Sequence, residues 1–143
     1  MTPEKLPQMV LEDIDFNVKI KIAALWASFM FLYIYVDYFA LYKTGYLENV
    51  IAGMIWKFKI TQGFLFGALA SVSIPALMIF LSTALAAKVN RLTNIIVAAV
   101  YIPYSLFNLA GEFFPFMIFG AAVEVLLLIM VIRYAWKWPT REG

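Results

Sequence analysis

Two carboxylic acids stand inside apolar runs of this chain, and by type and position they are the residues able to do chemistry. Asp37 lies within residues 26–42, WASFMFLYIYVDYFALY, and Glu124 lies near the middle of the last apolar run. A charge at the centre of a bilayer costs about 2.5–3.5 kcal/mol even on lenient insertion scales, so Glu124 has to be neutral, paired or wetted. Tyr33 stands one turn before Asp37, and Tyr101, Ser105 and Asn108 share a stripe on the third apolar run. Such a set suits proton carriage or binding of a cation between carboxylates and aromatic faces. The other use of the same residues is interior hydrogen bonding that holds helices in register.

Composition narrows the setting. The chain is 64% hydrophobic and only 14% charged, with a mean hydropathy of +0.86, which is the composition of a membrane protein. It has no cysteine and no histidine, so thiol chemistry, zinc sites, haem and iron–sulfur clusters lose their usual ligands; no metal and no cofactor is expected. The net charge of +2 is small and the basic residues sit at the ends of apolar runs, a topology signal and not a nucleic-acid patch. Glu4, Glu12, Asp13 and Asp15 spoil any signal-peptide n-region, so the first span is expected to stay in the mature chain.

The elements that must position these residues follow in order. Residues 1–21 form a polar N-terminal segment with Pro3 and Pro7. There Ile14, Phe16, Val18 and Ile20 alternate with polar residues as in an extended segment, while Val10, Ile14 and Val18 also fit one helical face. Four apolar runs then predict membrane-spanning helices at about 22–42, 64–87, 92–110 and 113–135 within a membrane domain of residues 22–139, followed by a tail of residues 140–143. The expected fold is all-α, an integral four-transmembrane-helix bundle. Trp26, Met30, Tyr33, Asp37 and Leu41 recur at helical spacing on the first span, whose Tyr-rich end reads as an interfacial aromatic belt or as ligand walls.

Between the first two spans, Tyr46, Leu47, Val50, Ile51, Met54 and Ile55 line one side of a helix, with Gly53 a possible stop. A short interfacial helix is expected there, acting as an anchor or a lid. On the second span Gly63, Gly67 and Ser71 recur every fourth residue and, with Gly120 on the fourth, predict close helix packing. Pro75 cannot donate to the Ser71 carbonyl and should kink that helix; Pro103 does the same for the Ala99 carbonyl on the third span. Asn94, Ala98, Tyr101, Ser105 and Asn108, extended by Glu112, form a stripe that should face the interior.

Eight basic residues (Lys5, Lys19, Lys21, Lys88, Arg91, Arg133, Lys137, Arg141) fall on the side of both termini, against Lys43, Lys57 and Lys59 on the other, which places both termini in the cytoplasm. Counted from the outer ends at the rise of an α-helix, Asp37 lies ~8 Å in, level with Ser105, and Glu124 ~15 Å in, level with Tyr101. The two acids are thus expected to line one cavity that opens outward, with no basic residue at either level. Tyr101 or a carbonyl freed by a proline is the expected hydrogen-bond partner of Glu124.

YIYVDYFALYKTG in the first span, IPALMIFLSTALAAKVNRLTNI through the second turn, and the mid-helix Glu124 followed by RYAWKWP resemble an uncharacterised bacterial family of small four-helix membrane proteins, a domain-of-unknown-function group. The resemblance covers nearly the whole chain and implies a bacterial inner-membrane protein with one four-span domain. It implies no reaction. The family pattern has a Gly before the Asp of the first span, where this chain has Val36. A looser, architectural likeness is to small drug-exporting transporters, four-span proteins built on an intramembrane Glu of the first helix.

No catalytic constellation is present, so the expected function is non-enzymatic: an accessory, scaffolding or self-associating bundle, whose partners are the lipid bilayer, copies of itself or other membrane subunits. The alternative is proton- or cation-coupled movement of a small molecule, with Glu124 carrying the proton, Asp37 acting as the outer gate, Tyr33 and Tyr101 as walls, and Ser105 and Asn108 as polar lining.

Overall fold

The computed structural model describes residues 9–111 and 113–142; Pro3, Glu4, Lys5, Pro7 and Glu112 lie outside the described residues. The chain is mostly helical. Four long helices, α1 (Val18–Ala40), α3 (Gln62–Ala84), α4 (Ala87–Phe107) and α5 (Pro115–Trp136), are joined by a short helix α2 (Tyr46–Ile51), a hairpin of β1 (Met54–Ile55) and β2 (Phe58–Lys59), and short turns. Helices α1, α3 and α5 are long and apolar enough to cross a membrane.

Local chemistry sets each boundary. α1 starts at Val18, four residues before the expected span, because the Asn17 side chain accepts the Lys19 amide at 2.9 Å and supplies an N-cap. Residues 9–17 are non-helical, so the face of Val10, Ile14 and Val18 does not form as a helix; Lys21 Nζ meets Asp15 Oδ1 at 2.8 Å instead. That hydrogen bond and the lysine charge hold the Asp15 carboxyl below its usual range. The Thr61 hydroxyl caps α3 by accepting from the Phe64 amide at 3.1 Å, and Pro115 opens α5 at the position where its missing N–H costs nothing. α4 begins at Ala87, five residues ahead of the expected span, directly after the turn at Leu85 and Ala86.

The connection between α1 and α3 departs from the expected single helix. α2 stops at Ile51, where Gly53 takes φ +82° and its amide bonds the Val50 carbonyl at 2.9 Å. Met54 and Ile55 then pair with Lys59 and Phe58 in an antiparallel hairpin. Trp56 makes the turn with φ +53°, a left-handed conformation uncommon for a non-glycine residue.

α1 lies against α3 and α5, and α4 lies against α5 and, more lightly, α3. Ile22, Trp26, Phe29 and Tyr33, spaced four, three and four, carry α1 into a core shared with Met78 of α3, Ala98 and Tyr101 of α4, and Leu128, Val131 and Ala135 of α5. Met30 is only half-buried and Leu41 is exposed, so the buried line of α1 runs through Phe29 and not Met30.

One end of this core is held by amides. Trp26 Nε1 donates to Asn94 Oδ1 at 2.6 Å and Ser82 Oγ donates to the same oxygen at 3.1 Å. Asn94 Nδ2 donates to Asn90 Oδ1 at 2.7 Å, and Asn90 Nδ2 to the Ser82 carbonyl at 2.7 Å. All four side chains are fully buried, and their bonds join α1, α3 and α4. On the outer side of the same end, the Arg91 guanidinium lies 5.6 Å from the centre of the Trp136 ring.

Of the expected small-residue face on α3, Ser71 meets Tyr104 of α4 at 3.0 Å, whereas Gly63 and Gly67 make no contact with another helix among the described residues. A Cβ added at Gly67 would meet nothing within 4 Å, and one at Gly63 only its own Thr61, because the first two turns of α3 stand clear of the other helices. Gly120 does make the expected close contact: a Cβ there would come within 2.5 Å of Val36 Cγ2.

Candidate functional site

Helices α1, α4 and α5 and the α2–hairpin segment enclose a cavity of about 270 Å³. Asp37 and Glu124 both face it, and they are within electrostatic reach of one another. Glu124 is nearly inaccessible, at 3% exposure, whereas Asp37 is exposed. The depths differ because Asp37 is one turn from the end of α1 and Glu124 is in mid-α5. Neither carboxyl is ion-paired with a described residue.

Ser105 reaches the cavity from α4, beside Glu124. It is 1% exposed, and its hydroxyl stands beside the Glu124 carboxyl, short of full hydrogen-bond geometry with any described residue. A buried hydroxyl without a well-formed hydrogen bond costs about 1–3 kcal/mol, which a water or a ligand group at that point would offset. Tyr33 lines the wall next to Asp37 and accepts from Asn108 Nδ2 at 3.3 Å. Asn108, the last member of the expected stripe, is exposed at the cavity rim, while Asn94, Ala98, Tyr101 and Ser105 are buried as expected.

Tyr101 does not line this cavity. Its hydroxyl donates to the Ser71 carbonyl, the one that Pro75 leaves without its helical donor. Ser71 Oγ bonds Tyr104 at 3.0 Å and the Ala68 carbonyl at 2.7 Å, so the Pro75 site on α3 is closed by two tyrosines of α4. The expected Glu124–Tyr101 pairing is therefore replaced by Glu124 beside Ser105. Helix rise puts Glu124 level with Tyr101, but α4 turns Tyr101 toward α3 and brings Ser105 beside Glu124.

Sequence reasoning missed the far wall. Trp56 and Phe58 of the hairpin, Tyr46 of α2, Phe64 of α3 and Phe107 of α4 complete an aromatic lining of the cavity. A signal was present: Trp56, Phe58 and Ile60 alternate with Lys57 and Lys59, the period of a strand. Lys43, beyond the end of α1, is a further lining residue; its Nζ lies 4.9 Å from the centre of the Tyr46 ring and 5.0 Å from that of Phe114.

Chemically, the cavity offers two acids, a hydroxyl, the Asn108 amide and ring faces, with the Lys43 ammonium on the same lining. Among the described residues no group of three or more His, Cys, Asp or Glu could hold a metal ion. Ring faces attract ammonium groups by their quadrupole, and carboxylates compensate the charge.

A model of the family of unknown function DUF6326 matches residues 9–142. The chain belongs to DUF6326. The match spans every helix and strand described here, so the cavity of this DUF6326 protein is built wholly from the family domain. No curated protein and no solved structure matches the chain. Membership in DUF6326 carries no reaction, and chemistry has to be argued from the cavity itself.

Proposed function

We propose that this DUF6326 protein is a non-enzymatic membrane carrier that takes a small organic cation into the cavity between Asp37 and Glu124 in exchange for protons. The observation that carries the reading is the convergence of two acids, neither ion-paired with a described residue, and one buried hydroxyl short of full hydrogen-bond geometry on a single aromatic-walled cavity. A cation entering such a site restores the charge balance that a departing proton removes, which is the elementary step of exchange. The volume, at the small end of ligand pockets, suits a compact amine or quaternary ammonium ion.

α4 serves as a fourth span in this reading. Its Asn90, Asn94, Tyr101 and Ser105 are turned inward, and Val89, Leu92, Ile96 and Val100 cover its outer face. A polar stripe buried in protein leaves an apolar surface for lipid. The distribution of basic residues supports a bacterial cytoplasmic membrane with both termini inside, and hence a cavity opening outward, with α2 and the hairpin lying at the outer interface as its cover.

The test is calorimetric titration of the purified protein with benzyltrimethylammonium, followed by its uptake into proteoliposomes under a pH gradient. Saturable binding is expected, weakened at least about tenfold by Asp37→Asn and by Glu124→Gln, because a charge pair at 4 Å is worth about 4 kcal/mol at an effective dielectric of 20. Uptake should require the gradient and fail in Glu124→Gln. Absence of saturable binding, or uptake indifferent to both the gradient and Glu124→Gln, sinks the proposal.

The accessory or self-associating role is the reading left standing by that failure. One observation favours it: the open Gly63 and Gly67 face of α3, which no described residue of another helix covers.

A further inference from the structure

A second concavity, of about 950 Å³, lies at the opposite end of the molecule, where the N-terminal segment meets the end of α5. Five cations line it, Lys19, Lys21, Arg133, Lys137 and Arg141, against one carboxylate, Asp15. Two of the five are already engaged: Lys21 with Asp15 at 2.8 Å, and Lys19, whose Nζ donates to the Leu85 carbonyl at 2.7 Å. Arg133 and Lys137, one helical turn apart, and Arg141 are exposed and form no ion pair with a described residue. Like charges at that spacing repel until an anion sits between them.

The groove is amphipathic along its length. Val18, Ala87 and Met130 form its apolar part, continuous with the lipid-facing surface expected of α1 and α5, and Tyr134 and Trp138 flank the basic part. Aromatic rings at that boundary belong to the headgroup level of a membrane. A ligand matching both parts carries a negative phosphate and an apolar tail. Free phosphate would satisfy only the basic half.

We propose that this groove is a binding site for the headgroup of an anionic phospholipid, with the phosphate held by Arg133, Lys137 and Arg141 and the first acyl methylenes lying against Met130 and Val18. Guanidinium groups hold a phosphodiester through paired N–H donors, and Lys137 adds a mobile point charge. The lipid joins the N-terminal segment to the end of α5. This site rests on the membrane reading and is independent of cation binding in the cavity.

The experiment is native mass spectrometry of the full chain, delipidated in non-ionic detergent and titrated with phosphatidylglycerol, phosphatidylcholine of the same acyl chains, or inorganic phosphate. A single phosphatidylglycerol adduct is expected at lipid concentrations where phosphatidylcholine leaves the chain bare. Retention should fall about thirtyfold in Arg133→Gln/Lys137→Gln, the loss expected for two basic contacts to anionic lipid. The double variant Lys57→Gln/Lys59→Gln removes the same charge from the hairpin end and should leave retention unchanged. Equal retention of the two lipids, equal loss in both double variants, or displacement of the adduct by an equal concentration of inorganic phosphate would each overturn the proposal. Helicity by circular dichroism confirms folding of each variant, and unchanged benzyltrimethylammonium binding separates this outcome from that of the cavity.

Discussion

Val36 and Gly120 show how one pair of residues decides the geometry around both acids. Each precedes or faces a carboxyl-bearing turn, and the valine side chain fills the space where a glycine lacks a Cβ. The resemblance on the first span implies a glycine at the position of Val36, so here the bulk sits on α1 and the gap on α5. Gly120→Ala places a methyl 2.5 Å from Val36 Cγ2 and should destabilise the protein by about 1–3 kcal/mol through overpacking. Adding Val36→Gly should recover most of that loss, read as the coupling in a double-mutant cycle of thermal unfolding in detergent. Loss that Val36→Gly fails to recover would mean that the contact is not what limits the helix separation. The importance of Gly120 was legible from its place one turn before Glu124; its partner was not, because no pattern on α5 says which residue of α1 arrives opposite.

At the scale of elements, α3 and α4 are joined by the defect in α3. Pro75 frees the Ser71 carbonyl, and the Tyr101 hydroxyl supplies the donor that the proline lacks. Removing that donor with Tyr101→Phe leaves a half-buried carbonyl unsatisfied and should cost about 1 kcal/mol of stability. Ser105→Ala, four residues along the same stripe, deletes a hydroxyl short of full hydrogen-bond geometry with any described residue and should be close to neutral for folding, while weakening benzyltrimethylammonium binding. Thermal unfolding of the two variants side by side checks the contrast; equal destabilisation would show that the stripe acts as one structural unit. The carbonyl freed at Ser71 was readable from Pro75 and the stripe from its spacing of four and three. That one tyrosine of the stripe serves α3 while its neighbouring serine serves the cavity depends on the rotation of α4 about its axis, which periodicity leaves open by tens of degrees. The hairpin was missed for a different reason: the apolar residues of 46–55 satisfy a helical period locally, but the left-handed turn at Gly53 ends α2 before that period can be used.

For the whole molecule, the sequence has no cysteine, so single reporters can be placed without background. If α4 crosses the membrane, Lys57→Cys should react with an impermeant maleimide in intact cells, and Thr140→Cys only after permeabilisation. Labelling of both without permeabilisation would remove α4 as a span, and the opposite pattern, Thr140→Cys reacting in intact cells and Lys57→Cys only after permeabilisation, would reverse the assignment of the cavity's opening. The apolar composition, the helical character of the long elements, and the placement of Asp37 and Glu124 at neighbouring depths are readable from the chain alone. These are local properties, read from hydropathy and a period of 3.6 residues. It takes the packed helices to show that Tyr101 closes α3 and not the acid site, that Val36 rests on Gly120, that Gly63 and Gly67 stay open, and that Trp56 and Phe58 fold back to wall the cavity. Those outcomes depend on how neighbouring helices rotate and cross and on where a turn ends an element, and no single segment encodes that by its own pattern.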